Sequence, residues 1–280
     1  MARAPKDTST VEEREVETRR RATFEHYADP WLYDHEYRRR RADVNWYRAR
    51  ARSLGGDVLE LGCGSGRVLV PLVRDGLHVV GVDASQPMLV RCQERLARLA
   101  PSARDRARLV RADFRALPFA RRWPVIICPF NAMMHLYSRD DLSRFFDGVR
   151  DRLAPGGRFV FDILNPDLKW LNRDPHRRWA RTRFKDPRSG ASWIYTTNHF
   201  YDAATQIAWI RIFYDALDAP SEKLPRTRVV RLAHRQIFPE ELLLLLDNAG
   251  FTVEERLGDF DGSAFTGDSE SQVCTCSIRD

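Results

Sequence analysis

One stretch constrains this chain more than any other. Asp57-Val58-Leu59-Glu60-Leu61 runs directly into Gly62-Cys63-Gly64-Ser65-Gly66, and Arg67 follows. A short apolar run bounded by glycines reads as a buried strand, and the segment from about Arg67 to Arg74, stopped by Gly76, reads as a helix. A glycine loop between strand and helix lets backbone approach a ligand and turns amides toward an anionic group. The next apolar run, His78 to Val82, ends at Asp83. A carboxylate at the end of that second strand is placed to accept both hydroxyls of a ribose. A dinucleotide fingerprint would need its third glycine at position 67, where Arg67 stands, so NAD and FAD are disfavoured.

Strand and helix signals keep alternating beyond this unit. Ser85 is placed to cap a helix that has Pro87 in its first turn and runs to about Leu99. Arg108 to Ala112 and Val125 to Cys128 read as strands, Asp140 to Leu153 as a helix closed by Pro155-Gly156-Gly157, and Arg158 to Leu164 as a fifth strand. This pattern predicts an α/β fold: a Rossmann-like, doubly wound, mostly parallel sheet of seven strands. After Pro166 the alternation stops. Ser192 to Tyr201, Gln206 to Ala216 and Thr227 to Gln236 predict an antiparallel insertion, while the arginine-rich stretch from Arg173 to Arg183 reads as a flexible connection. The parallel texture resumes with a helix at Pro239 to Asn248 and strands at Phe251 to Leu257 and Ser271 to Ser277. Four parts follow: a helical, aromatic cap over 1–55, a nucleotide-binding core over 56–166, the insertion over 167–236, and the end of the core sheet over 237–280.

Composition narrows the function classes. Of 46 basic residues only Lys6, Lys169, Lys185 and Lys223 are lysine, so the net charge of +7 is carried by arginines spread along the chain. Such a skew speaks for coding bias rather than a nucleic-acid surface, and no nucleic-acid partner is expected. The longest apolar run, Leu242 to Leu246, is far short of the roughly 20 residues a membrane span needs. Met1 to Arg21 is charged and lacks the apolar region of a secretory signal. The five cysteines show no CxxC spacing. These features predict a cytoplasmic chain with reduced thiols, no metal and no membrane partner.

With the glycine loop, Asp83 and the alternation in hand, the chain resembles the class I S-adenosylmethionine-dependent methyltransferases over roughly residues 25–280. The resemblance implies S-adenosyl-L-methionine as cofactor, with S-adenosyl-L-homocysteine as product. It implies that the loop from Glu60 to Gly66, including Gly62, Cys63, Gly64 and Gly66, cradles the methionine and ribose portions. Asp83, with Ala84 beside it, would bind the ribose diol. Asp113 in Arg111-Ala112-Asp113-Phe114 would accept from the adenine amino group, with Phe114 adjoining, and Met88 would lie against adenine.

Two further segments resemble the small-molecule amine methyltransferases, in particular the amino-sugar N,N-dimethyltransferases. Cys128-Pro129-Phe130-Asn131-Ala132-Met133-Met134-His135 matches their loop after strand four, with Asn131 in place of a more usual serine. Leu32-Tyr33-Asp34-His35-Glu36-Tyr37 matches their N-terminal tyrosine segment. The implied roles are cofactor binding for Tyr37 and Asn131. His135 and Tyr33 would be the catalytic polar groups nearest the transferred methyl, His135 orienting the acceptor or taking its proton. The insertion would wall the acceptor or, alternatively, form a homodimer. The expected reaction moves a methyl group to an amine or hydroxyl of a small molecule by in-line displacement. An RNA-modifying enzyme is the weaker reading, because Cys128-Pro129-Phe130-Asn131 is not the catalytic box those enzymes carry. A non-catalytic protein that binds the same cofactor is a third.

Overall fold

The structure, a computed structural model, describes residues 11–186, 188–217 and 226–279. Its helices are α1 (Val11–Phe24), α2 (Pro30–Glu36), α3 (Ala42–Leu54), α4 (Leu69–Arg74), α5 (Gln86–Leu96), α6 (Pro101–Arg104), α7 (Arg139–Arg152), α8 (Leu168–Leu171) and α9 (Pro239–Asn248). The core strands are β1 (Val58–Leu61), β2 (Val79–Asp83), β3 (Ala107–Arg111), β4 (Trp123–Cys128), β5 (Leu153–Leu164), β10 (Phe251–Leu257) and β11 (Ser271–Ile278). A second set comprises β6 (Trp179–Lys185), β7 (Ser192–Asp202), β8 (Ile207–Ala216) and β9 (Thr227–Arg235).

The core strands form a seven-stranded sheet in the order β10-β11-β5-β4-β1-β2-β3. Every pair from β5 to β3 is parallel, and β11 runs antiparallel to both its neighbours. Two apolar layers cover the two faces. Phe145, Phe146, Phe159 and Phe251 lie in one, and Tyr47, Leu69, Leu72 and Leu89 in the other. Covered on both sides, β1 and β4 are nearly continuous apolar runs, as buried parallel strands require. The strand order reverses at β1, between β4 and β2, so the carboxyl ends of these strands splay apart and leave a crevice.

Side chains cap several helix starts, Asp167 at α8 among them. Ser138 and Asp141 form a reciprocal capping box at α7, and Asp29 accepts from the Leu32 amide at α2. At α5, by contrast, the Ser85 side chain makes no capping bond; its amide is already donated to Asp83.

Three other local readings differ from the structure. Arg181 to Arg183 lie in β6, not in a flexible connection. This is an edge strand exposed along most of its length, so arginines are tolerated and no apolar alternation marks it. Pro155-Gly156-Gly157 is absorbed into β5 as an irregularity of register against β4. The helix after Ser85 ends near Leu96 rather than Leu99. Among the described residues, no helix is long and apolar enough to cross a membrane.

Candidate active site

A cleft of about 610 Å³ opens at the carboxyl ends of β1, β2, β3 and β4. Gly62 lines it after β1, Asp83 and Ala84 at the end of β2, Asp113 and Phe114 after β3, and Phe130 and His135 after β4. Tyr27 and Tyr33 close the side formed by the N-terminal segment.

Of the glycine loop, Gly62 lines the cleft. Gly62 has φ +73°, and a Cβ there would come within 2.9 Å of the Ala132 Cβ. Any side chain would therefore strain the backbone and push the loop after β4. At Gly66 a Cβ would meet the Cys92 sulfur at 2.5 Å, so this glycine is what lets the loop lie against α5. The Gly64 amide donates to Asp83 Oδ2 and the Ser85 amide to Oδ1, both at 2.8 Å. Burial raises the Asp83 carboxyl against the pull of these donors. Glu60 is buried at the head of the loop with Oε2 unpartnered, and burial holds its carboxyl well above the usual range.

Arg67 has a second use besides breaking the dinucleotide pattern. Its guanidinium bonds both carboxylate oxygens of buried Asp43 on α3, and it lies 4.0 Å from the centre of the Phe130 ring. It thereby ties the glycine loop both to the cap and to the loop after β4.

That second loop is strained. Phe130 and Asn131 both adopt left-handed backbone, with φ of 60° and 61°. Asp162, buried on β5, holds them there. Its Oδ1 accepts from the Phe130 amide at 2.7 Å and from the Tyr47 hydroxyl at 2.7 Å, and its Oδ2 from the Asn131 amide at 3.2 Å. Burial pushes the Asp162 carboxyl up to about 6, with the Tyr47 and Phe130 donors working against it. The Asn131 side chain is buried with Oδ1 unpartnered.

The aromatic wall contains a directed chain of hydrogen bonds. The Tyr137 hydroxyl donates to the Ala233 carbonyl at 3.2 Å and shares a hydrogen bond of 2.7 Å with Thr23 Oγ1, which also reaches the Arg19 carbonyl at 2.8 Å, so the Tyr137 proton points away from His135. Tyr137 then accepts from His135 Nδ1 at 3.2 Å. This assigns the proton to Nδ1 and leaves Nε2 to accept from the Tyr27 hydroxyl at 2.7 Å. Tyr27 lines the cleft, and with its own proton committed to His135 its oxygen keeps lone pairs that can accept. Burial holds His135 neutral, well below its ordinary pKa, and the nearby His234 and His26 act in the same direction.

The remaining predicted residues fall in different places. Asp113 lies on the cleft wall, bonded by Arg115, which also bonds Asp141 at 2.7 Å. Arg115 holds the Asp113 carboxyl below its usual value although burial alone would raise it. Tyr37 does not line the cleft; its ring stands behind Phe130 at 4.9 Å and against Tyr33 at 4.8 Å. Cys63 and Met88 are buried beneath the glycine loop and do not line the cleft either. Met88 is on the core face of α5, with its Cε 3.3 Å from where a Gly64 Cβ would stand.

Among the described residues, none of the insertion lines the cleft. Its β9 strand buttresses the wall from behind: the Ala233 carbonyl lies 3.2 Å from Tyr137 Oη, and Arg235 donates to the Tyr137 carbonyl at 3.1 Å. Sequence reasoning missed Tyr27, Tyr137 and Asp162. Only the spread of aromatics through the first fifty residues hinted at Tyr27. Among the described residues no cluster of His, Cys, Asp and Glu is arranged to hold a metal ion.

The donor set fits S-adenosylmethionine. Asp83, which lines the cleft at the end of β2, suits a ribose diol; the unpartnered oxygens of Glu60 and Asn131 would suit an ammonium, although both residues are buried and neither is part of the cleft lining. A family profile described as a methyltransferase domain matches residues 58–157. YqeM of Bacillus subtilis (strain 168), provisionally named a methyltransferase, is 24% identical over 225 residues, covering 77% of this chain and 81% of that protein. Several other curated relatives are matched over about half of their own length. Among solved structures, the CcbJ methyltransferase of Streptomyces caelestis superposes with a TM-score of 0.70 at 25% identity, covering 86% of this chain and 90% of that one. CalS10 of Micromonospora echinaspora, an amino pentose methyltransferase solved with S-adenosylmethionine bound, shares the fold at a TM-score of 0.67 and 18% identity, covering 87% of this chain and 96% of that one. The chain thus carries a methyltransferase domain over residues 58–157, and its fold and relatives support an S-adenosylmethionine-dependent methyltransferase.

Proposed function

We propose that the chain methylates an amine nitrogen of a small molecule. The observation that carries this is the direction of the Tyr27–His135–Tyr137 chain. A hydroxyl acceptor needs a base to take its proton as it attacks, and the imidazole at the cleft is a poor one: buried, neutral, with both nitrogens engaged. An uncharged amine already carries its nucleophilic pair and needs only alignment. The Tyr27 oxygen offers lone pairs that would accept an amine N–H and aim the nitrogen. Burial in an aromatic cleft disfavours the protonated amine, which keeps the nucleophile neutral.

The cofactor, when bound, supplies a methyl group on a positively charged sulfur. Tyr27, Tyr33 and Phe130 would face that charge with ring faces. Asp83 would accept the ribose hydroxyls, Glu60 and Asn131 the methionine ammonium, and Phe114 would flank the base. In this reading Asp113 spends its carboxylate on Arg115, and the pair together edges the base. His135 and Tyr33 serve as positioning groups, His135 through Tyr27. The methyltransferase function of CalS10 on an amino pentose supports an amine acceptor.

A screen of amines, amino sugars and phenols for S-adenosylhomocysteine release tests the proposal. Turnover of amines and amino sugars is expected. Turnover confined to phenols or alcohols would overturn it.

A further inference from the structure

A second cavity, of about 450 Å³, lies on the other side of the Arg67–Phe130 contact from the cleft. It is bounded by the α2–α3 segment, α4 and α5. Eight of the 13 residues on its wall are arginine, against 42 arginines in the 280 residues of the chain. Even for so arginine-rich a protein, that is a several-fold concentration in one concave place.

The carboxylates nearby do not neutralise it. Asp75 is taken by Arg48, Asp43 by Arg67, and Asp34 and Glu94 by Arg91. Arg95 reaches Asp34 only at 3.6 Å, and Arg40 reaches Glu270 only at 4.0 Å. Arg38, Arg41 and Arg74 have no ion pair among the described residues; Arg38 donates only to the His35 carbonyl. Crowding is felt in the ionisation of Arg95, whose charge is disfavoured by burial and by the neighbouring Arg91 and Arg74. Uncompensated like charges in a concavity focus potential and raise the local concentration of anions. A guanidinium fork matches the geometry of phosphate oxygens, and an anion would relieve the repulsion among these groups.

We propose that this cavity is an anion site, separate from the methyl-transfer cleft, that takes the phosphate or diphosphate group of a small ligand. The volume suits a compact anion rather than a duplex. The site is wired to the cofactor loop: Asp34 accepts from Ser65 Oγ at 2.6 Å and from Arg91, and Arg95 donates to the Ser65 carbonyl. An anion that draws Arg91 and Arg95 inward would thus be felt at the glycine loop.

The test is titration calorimetry of inorganic pyrophosphate into the full chain saturated with S-adenosylhomocysteine, at constant ionic strength. Saturable binding is expected, weakened about tenfold or more in an Arg41→Gln, Arg74→Gln double variant. Both affinity for S-adenosylhomocysteine and melting temperature should be retained in that variant, and lysine at both positions should restore part of the pyrophosphate affinity. Absence of saturable binding, or binding equal to that of matched chloride, would overturn the proposal. So would displacement of S-adenosylhomocysteine by pyrophosphate, or a parallel loss of both ligands in the variant. Either would make the cavity the seat of the cofactor's own carboxylate.

Discussion

Asp162→Ala is the substitution for which the structure makes the most discriminating prediction. It removes the acceptor for three buried donors: the Tyr47 hydroxyl and the amides of Phe130 and Asn131. A buried donor left unsatisfied costs about 1–3 kcal/mol, and the Tyr47 hydroxyl can turn to find another partner while the amides cannot. If the loop keeps its shape, the two amides set a loss of roughly 2–6 kcal/mol. The loop need not keep it. Phe130 and Asn131 sit in left-handed backbone, which costs of the order of 1 kcal/mol or more apiece and persists only while something holds it. Released, they would recover part of the stability and pull Phe130 off the cleft wall. Stability and cofactor affinity therefore trade against each other. Urea unfolding and calorimetric titration of S-adenosylhomocysteine, run together, read both. The expected result is a loss of about 2 kcal/mol or more in stability, or a tenfold or greater loss of affinity, or a share of each. A variant with native stability and native affinity would refute the claim that Asp162 holds this loop.

Other substitutions separate the parts of the site. Tyr27→Phe should lower kcat/KM for an amine acceptor by about 10- to 100-fold through a lost hydrogen bond, while S-adenosylhomocysteine binding in calorimetry stays unchanged. Gly62→Ala should abolish cofactor binding measurably while the chain still folds, because the strain and the 2.9 Å approach fall on the cleft lining. Burial depresses His26 to about 3 and His234 to about 4, below the 6.5 of an unfolded histidine, so the unfolded chain binds protons first on acidification. The histidines' contribution, present in full above pH 6.5, should fall as pH drops below it by roughly 1.4 kcal/mol per pH unit for each, while the raised carboxyls of Glu36, Asp162 and Glu60 act in the opposite direction. Urea midpoints at pH 7.5 and 5.5 check this, and His234→Asn should reduce the slope; an unchanged slope would remove His234 from the account. Filter binding at physiological salt should find no sub-micromolar affinity for RNA.

Much of the fold was legible because its determinants are local. The glycine loop, the apolar runs of β1, β2 and β4, and Pro239 opening α9 each specify their own element within a few residues. The strand–loop–helix–strand unit that carries Gly62, Gly64 and Asp83 was legible for the same reason. What the sequence hid is held together by long-range pairing. Asp162 sits on β5, and nothing within ten residues of it announces that its carboxylate pins Phe130. Tyr27 and His135 are 108 positions apart and meet only when the cap closes over the sheet. Met88 is buried on α5, and its helical position names a face but not whether that face meets ligand or core. The arginines of β6 lacked any periodicity because an edge strand need not bury either side.

Asp83 is where the central claim is most exposed. Calorimetric titration of S-adenosylhomocysteine into the native chain and into Asp83→Ala, with melting curves to establish folding, addresses it directly. Asp83 would accept two ribose hydroxyls, and hydrogen bonds to a charged acceptor contribute about 1.5–3 kcal/mol each. The account predicts binding at one equivalent by the native chain, and affinity at least tenfold weaker in a folded Asp83→Ala variant. Equal affinity in the two proteins would contradict it.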